Sequence, residues 1–304
     1  MGVNYIQLKS FLGNGEIPFQ QKGNSSFCFK REKDETIEKC IKQHFQLQGT
    51  FDKYYRQATG GSGNEANKID SVWSSSLLSL LFFYSAMENG GITLNGIHYS
   101  KCVFEFQNPV LQNKPYYKHP SNIDCVLISD GGGKLLFIES KFIEYVRDYR
   151  YKRISESDLL SENYSREGEP TAEFYKWYSD LHKKTPFTPH YYYGAKQMIT
   201  HYSGLCNFVN GCYHPNMKED RDKNEVIAAF ENGAKVSLIE IIFDMGIIDQ
   251  KYEKYRNDYM NLQAELHDLM QNDHFEVLET TTYQHIIAET NVNLSDTIKK
   301  YYSF

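Results

Sequence analysis

The sequence predicts an α/β layered protein, on three observations. Four short segments, 99–107, 123–129, 134–141 and 235–243, are apolar and rich in β-branched or aromatic residues. Stretches over 72–88 and 189–205 have the length and apolar content of helices that pack on a sheet. In chain order the middle therefore reads helix, strand, strand, strand, helix, strand, and helices alternating with a small mixed sheet imply layers.

Taken in order, residues 1–56 are mixed, with an opening punctuated by Gly and Asn and then a helix predicted over 35–46. GGSGNEANK, 60–68, is a loop by composition, and it lacks the Gly-Lys-Ser/Thr of a phosphate-cradling loop. In SVWSSSLLSLLFFYSAMENGG, Asp70 and Ser71 offer N-caps and Asn89-Gly90 stops the helix. YSKCVFEFQ predicts the first core strand. NIDCVLISDGGGKLLFIESKF, 122–142, predicts a hairpin of two more around a glycine turn. Residues 142–188 are polar and charged, with FYKWYSDLHKK the clearest helical piece. PHYYYGAKQMITHYSGL then predicts a helix and KVSLIEIIF a buried strand.

From 251 to 271, Tyr252, Tyr255, Tyr259, Leu262, Leu266 and Leu269 recur at gaps of three and four, which marks one face of a helix. An ordinary packing face explains that stripe better than a coiled-coil seam, because the run is short. FEVLET, 275–280, predicts an edge strand, followed by a short helix over 283–289. The expected organisation is an N-terminal extension over 1–69, a core over 70–245 with a polar insertion at 142–188, and a C-terminal helical addition over 246–304.

The 304 residues carry a net charge of −6, so a general basic coat for nucleic acid is absent. An enzyme that meets phosphates through a metal and a local basic patch stays open. The start lacks a secretory layout, Ile6 stands where a myristoylation signal needs Ser or Thr, and the apolar run 77–87 is too short to span a bilayer. The six cysteines are scattered with no disulfide spacing. The expectation is a cytoplasmic protein with reduced thiols and no membrane partner.

The hairpin carries charge where buried strands should have none: Asp124 on one strand, Glu139 and Lys141 on the other. A turn centred between Gly131 and Gly132 sets Ser129 against Lys134 and Asp124 against Glu139, with β-carbons about 5 Å apart. An odd-length loop would slip this register and separate the two acids. Alternation puts Lys141 on the face of Glu139, and towards the turn that face continues as Val126 and Ile128 opposite Phe137 and Leu135. Two carboxylates this close repel, and burial adds a desolvation cost. A hard divalent cation relieves both, and it can acidify a water and steady charge on a phosphoryl group. A neighbouring lysine can position that water or stabilise the phosphate. The competing reading is a structural ion pair at a strand end.

Asp124, then Glu139-Ser140-Lys141 after a hairpin, resembles the signature of the PD-(D/E)xK nuclease superfamily, and the element order from about 71 to 243 is similar to its common core. The resemblance implies a restriction-endonuclease-like fold with a mixed central sheet flanked by helices. It also implies Mg²⁺, with Mn²⁺ as a substitute, bound by Asp124, Glu139 and the Ser140 carbonyl, with Lys141 as the catalytic lysine. The proline of the motif is displaced, since Pro120 lies four residues before Asp124. Many members carry a further upstream acid; Glu105 in FEF and Glu88 at the end of the preceding helix compete for it, with Glu105 favoured as a metal ligand. Gln197 in GAKQMITHY fits a recurrent catalytic glutamine.

After the hairpin, Arg147, Arg150, Lys152 and Arg153 join Lys141 against Glu144 and Asp148, a local basic excess suited to phosphates. Tyr145, Tyr149 and Tyr151 interleave as stacking candidates, and a solvated helix face is the alternative. His201, Cys206, Cys212 and His214 cluster, but their spacing matches no zinc knuckle. No nucleophile elbow, HExxH helix or dinucleotide fingerprint occurs. The expected function is a metal-dependent nuclease, a DNA endonuclease in restriction, defence or repair. The alternative is an idle nucleic-acid-binding or assembly module on the same fold. A homodimer stays open, since cutting two strands takes two sites.

Overall fold

The computed structural model describes residues 19–22, 26–60, 69–111, 120–143, 189–246, 250–290 and 292–304. Strands β1 (Phe19–Lys22) and β2 (Ser26–Phe29) form a separate antiparallel pair. Helices α1 (Ile37–Phe45), α2 (Phe51–Thr59) and α3 (Ser75–Glu88) follow, then β3 (Ile92–Leu94), β4 (Ile97–Asn108), β5 (Ser121–Ser129) and β6 (Lys134–Lys141). The chain continues as α4 (Pro189–Val209), α5 (Pro215–Glu219), α6 (Arg221–Glu231), β7 (Lys235–Ile242) and α7 (Gln250–Leu269). It closes with β8 (Glu276–Val277), β9 (Thr281–Thr282), α8 (Tyr283–Glu289) and α9 (Asp296–Tyr302).

The α/β class holds. Among the described residues the central sheet is mixed, in the order β3-β4-β5-β6-β7-β8, with β9 also on β7. Neighbours from β3 to β6 are antiparallel, whereas β7 runs parallel to β6. A parallel neighbour needs a crossover connection, and α4 to α6 lie in that connection. The hairpin register is the expected one: Ile128 pairs with Leu135, Val126 with Phe137 and Cys125 with Ile138. The turn permits it because Gly131 and Gly132 take φ of 73° and 71°, where a side chain would be strained.

Each sheet face has its own apolar layer. One holds Cys102, Leu127, Leu136 and Ile241 under α1, α2, α3, α8 and α9. It is dense in rings; Phe82 stands 4.8 Å from Tyr283 and Phe142 4.9 Å from Phe243. The other holds Val126, Ile128, Leu135, Phe137 and Leu238 under α4 and α6, with Leu262 and Leu266 of α7.

Several boundaries differ from expectation. Helix α3 starts at Ser75, because Ser74 Oγ accepts the Leu77 N–H at 3.1 Å. Neither Asp70 nor Ser71 caps it; Asp70 pairs with Arg31 at 3.2 Å and Ser71 bridges to Cys28. FEVLET contributes only the two residues of β8. The stripe on α7 is a packing face: Tyr252, Tyr259, Leu262 and Leu266 are buried in the chain's own core, and Leu269 alone among them is exposed. No helix among the described residues is long and apolar enough to cross a membrane. The loop at 61–68 and the FYKWYSDLHKK segment lie outside the described residues.

Candidate active site

Regular pairing of β5 with β6 stops at Cys125 and Ile138, and the next step of that register sets Asp124 against Glu139. On the other side of β5, Phe104 pairs with Cys125 and Phe106 with Ile123, so the same step sets Glu105 against Asp124. Across the parallel boundary Glu139 pairs with Glu240. Four acids thus occupy one row over four adjacent strands. Glu105, Glu139 and Glu240 are buried, and Asp124 is half-buried.

Each acid meets a different environment. Asp124 Oδ2 accepts the Ser140 backbone N–H at 2.8 Å. Burial, followed by the nearby Glu139 and Glu105 charges, pushes its carboxyl well above the usual range, and Lys141 offsets only part of that. Glu139 behaves in the opposite way. Burial pushes it up, but Lys141 and His201 outweigh burial and hold it at about 2. Its Oε1 accepts from both Lys141 Nζ and Gln197 Nε2, and its Oε2 lies 2.8 Å from His201 Nε2. Lys141 Nζ also donates to Gln197 Oε1 at 2.7 Å, closing a ring of three side chains. Glu240 Oε1 accepts from the Tyr259 hydroxyl at 2.7 Å. Burial, then Glu240 and Glu139, keep that phenol protonated.

Helix α4 delivers Gln197 and His201 because they are four apart and so share a face. Its approach depends on Gly204: a β-carbon there would stand 2.7 Å from Asn108 Cβ and 3.0 Å from Ser121 Cβ. At this distance Ser121 Oγ reaches His201 Nδ1 at 2.6 Å. The imidazole stands between the Ser121 hydroxyl and the Glu139 carboxylate. On the far face Ser140 Oγ meets Tyr283 Oη at 2.7 Å and Ser75 O at 3.3 Å, anchoring β6 to the aromatic layer.

Of the sequence-predicted residues, Asp124, Glu139, Ser140, Lys141, Gln197 and Glu105 come together. Glu88 does not; it accepts from Thr50 Oγ1 at 2.6 Å at the end of α3. Arg147, Arg150, Lys152 and Arg153 lie outside the described residues. His201, which the sequence shows only as part of a loose His and Cys cluster, is buried against Glu139. Cys206 and Cys212 of the same cluster are half-buried. Glu240 and Ser121 were not singled out from sequence, and Tyr259 was read only as part of the helix stripe. Glu240 carried the signal that flagged the hairpin, a lone carboxylate inside an apolar strand, and His201 lay one turn from Gln197.

Among the described residues no three His, Cys, Asp or Glu side chains form a ready metal cage. The reason is geometric: Glu139 is turned to Lys141, Gln197 and His201, and Asp124 to the Ser140 N–H. In kind, however, the donors suit a hard cation, because crowded carboxylates are what a divalent ion neutralises. Comparison with known protein families, characterised proteins and solved structures finds no match to this chain.

Proposed function

We propose that this protein is a metal-dependent phosphodiesterase, a nuclease acting on DNA, built on a restriction-endonuclease-like core of the PD-(D/E)xK type. One observation carries the reading: Asp124, Glu105, Glu139, Lys141 and Gln197 converge at one end of the sheet through hairpin register and one helix face. The order α3, β4, β5, β6, α4, β7 supports the fold assignment.

Asp124, Glu139 and Glu105, with the Ser140 carbonyl, would hold Mg²⁺ or Mn²⁺. Such an ion, when bound, acidifies a water and steadies charge on a phosphoryl group. Lys141 Nζ, held between Glu139 and Gln197, supplies a fixed ammonium to balance phosphate charge. Gln197 sets that spacing by accepting at Oε1 and donating at Nε2. His201, held at Nδ1 by Ser121, places its Nε2 2.8 Å from the second Glu139 oxygen. For Glu139 to ligate a cation one of its donors must swing away, and Gln197 is the half-exposed one of the three.

The full engagement of Glu139 favours a second reading, an idle nucleic-acid-binding or assembly module on the same fold. A cleavage assay separates the two. The protein is incubated with plasmid and linear DNA, with Mg²⁺, Mn²⁺ or chelator, beside Lys141→Ala and Glu139→Ala. Metal-dependent cutting lost by at least a hundredfold in both variants supports the nuclease. DNA binding without cutting, unchanged in the variants, supports the idle module.

A further inference from the structure

Among the described residues the backbone has φ above zero at five non-glycine positions. Gln46 and Ser303 are helix C-caps, and Asp34 and Asn95 lie in turns, where that conformation is ordinary. Glu105 is different. It takes φ 50° inside β4, and it is buried. A left-handed residue in a strand is costly and persists only where its surroundings impose it.

Those surroundings are side chains rather than another strand. Lys223 of α6, itself buried, donates from Nζ to the Glu105 carbonyl at 2.8 Å. Gln57 of α2 accepts the Phe104 N–H at its Oε1, 3.2 Å away, while its Nε2 donates to Asp222 at 2.8 Å. Met217 of α5 accepts the Gln107 N–H at its sulfur, 3.1 Å away. Asp220 caps α6 by accepting from the N–H of Asp222 and of Lys223, which fixes the start of the helix that carries the ammonium. β3 pairs only with residues 97–99, so among the described residues no strand lies beside this part of the β4 edge.

We infer that Lys223, on a helix whose start is capped by Asp220 and tied through Asp222 to Gln57, is a positioning residue that holds Glu105 in its left-handed conformation and keeps its carboxylate beside Asp124. The inference rests on the proposed metal site and adds to it a support from α6 at the β4 edge. Burial outweighs the opposing Asp220 and Glu105 charges and lowers the Lys223 pKa from its ordinary value.

The test measures Mn²⁺ affinity by calorimetric titration of the full chain, alongside urea denaturation. The unaltered protein binds Mn²⁺, and Asp124→Asn abolishes binding. Lys223→Met weakens binding about tenfold or more, the usual scale for a residue behind a metal ligand, and Lys223→Arg recovers part of it. Independently of Lys223, Glu105→Gly is more stable than Glu105→Ala, the reverse of the usual order in a strand, because glycine alone relieves the left-handed φ. Folded Lys223→Met with unchanged Mn²⁺ affinity, while Asp124→Asn loses it, overturns the positioning role and leaves the metal site standing. Glu105→Ala as stable as Glu105→Gly overturns the imposed conformation. No Mn²⁺ binding by the unaltered chain overturns both the site and its support.

Discussion

The β5–β6 hairpin has one sheet face and two very different ends. Near the turn, Val126 and Ile128 meet Phe137 and Leu135, and the Phe137 ring packs 5.7 Å from Phe106 and 5.3 Å from Phe208. Two to four residues further along, the same face presents Asp124, Glu139 and Lys141, and regular antiparallel pairing ends there. The apolar end needs no particular partner beyond shape and volume. At the charged end, each group is tolerable only because a named neighbour meets it: Glu139 by Lys141, Gln197 and His201, and Asp124 by the Ser140 N–H. The apolar end gives stability that depends on shape and volume, whereas the charged end holds together only through these specific partners.

The largest expected effect breaks the apolar end. Phe137→Ala removes a fully buried ring and should cost about 3–5 kcal/mol in urea denaturation, with the charged cluster chemically untouched. At the other end, Lys141→Met leaves Glu139 buried with one charge partner fewer and should cost about 3 kcal/mol. The sharper measurement is the cycle with Glu139→Leu. The double variant should be more stable than the sum of the two singles by at least about 1 kcal/mol, since it buries no unpaired charge. Additive costs would mean that the two groups are not coupled. The smallest effect lies at neither end. Burial lowers the pKa of His44 and of His214, the latter also through Lys223. A histidine with a depressed folded pKa contributes stability that is complete above its unfolded value near 6.5 and lost as pH falls through the folded value. Stability should therefore decline by about 1 kcal/mol or less as pH falls below about 6.5, and His44→Gln with His214→Gln should flatten that slope.

The two ends also differ in how legibly the sequence wrote them. The alternation of apolar residues about a glycine turn was enough to set register, and register alone brought Asp124 to Glu139 and Lys141 to the same face. Gln197 was legible as a candidate because its helix was. His201 was harder, since one turn of helix places it beside Gln197 but only the close approach at Gly204 brings it to Glu139. Glu105 is favoured over Glu88 by the sequence, but only the β4–β5 register, which no local pattern encodes, sets it beside Asp124. Lys223 was invisible for a stronger reason: it is separated from Glu105 by more than a hundred residues and acts on a backbone carbonyl, which leaves no complementary side chain to notice. Cap positions slipped for a milder one, because three consecutive serines follow Trp73 and any of several polar residues can cap a helix in isolation.

The side chains of Gln57, Lys223 and Met217 along β4 have a consequence for how this molecule meets others. A bare strand margin invites a foreign strand to dock by its main chain, and that is a common origin of swapped dimers and fibrils. Here the main-chain groups of Phe104, Glu105 and Gln107 are already satisfied by helices of the same chain. The feature that braces an acid from behind thus also seals that stretch of the border against intruding chains.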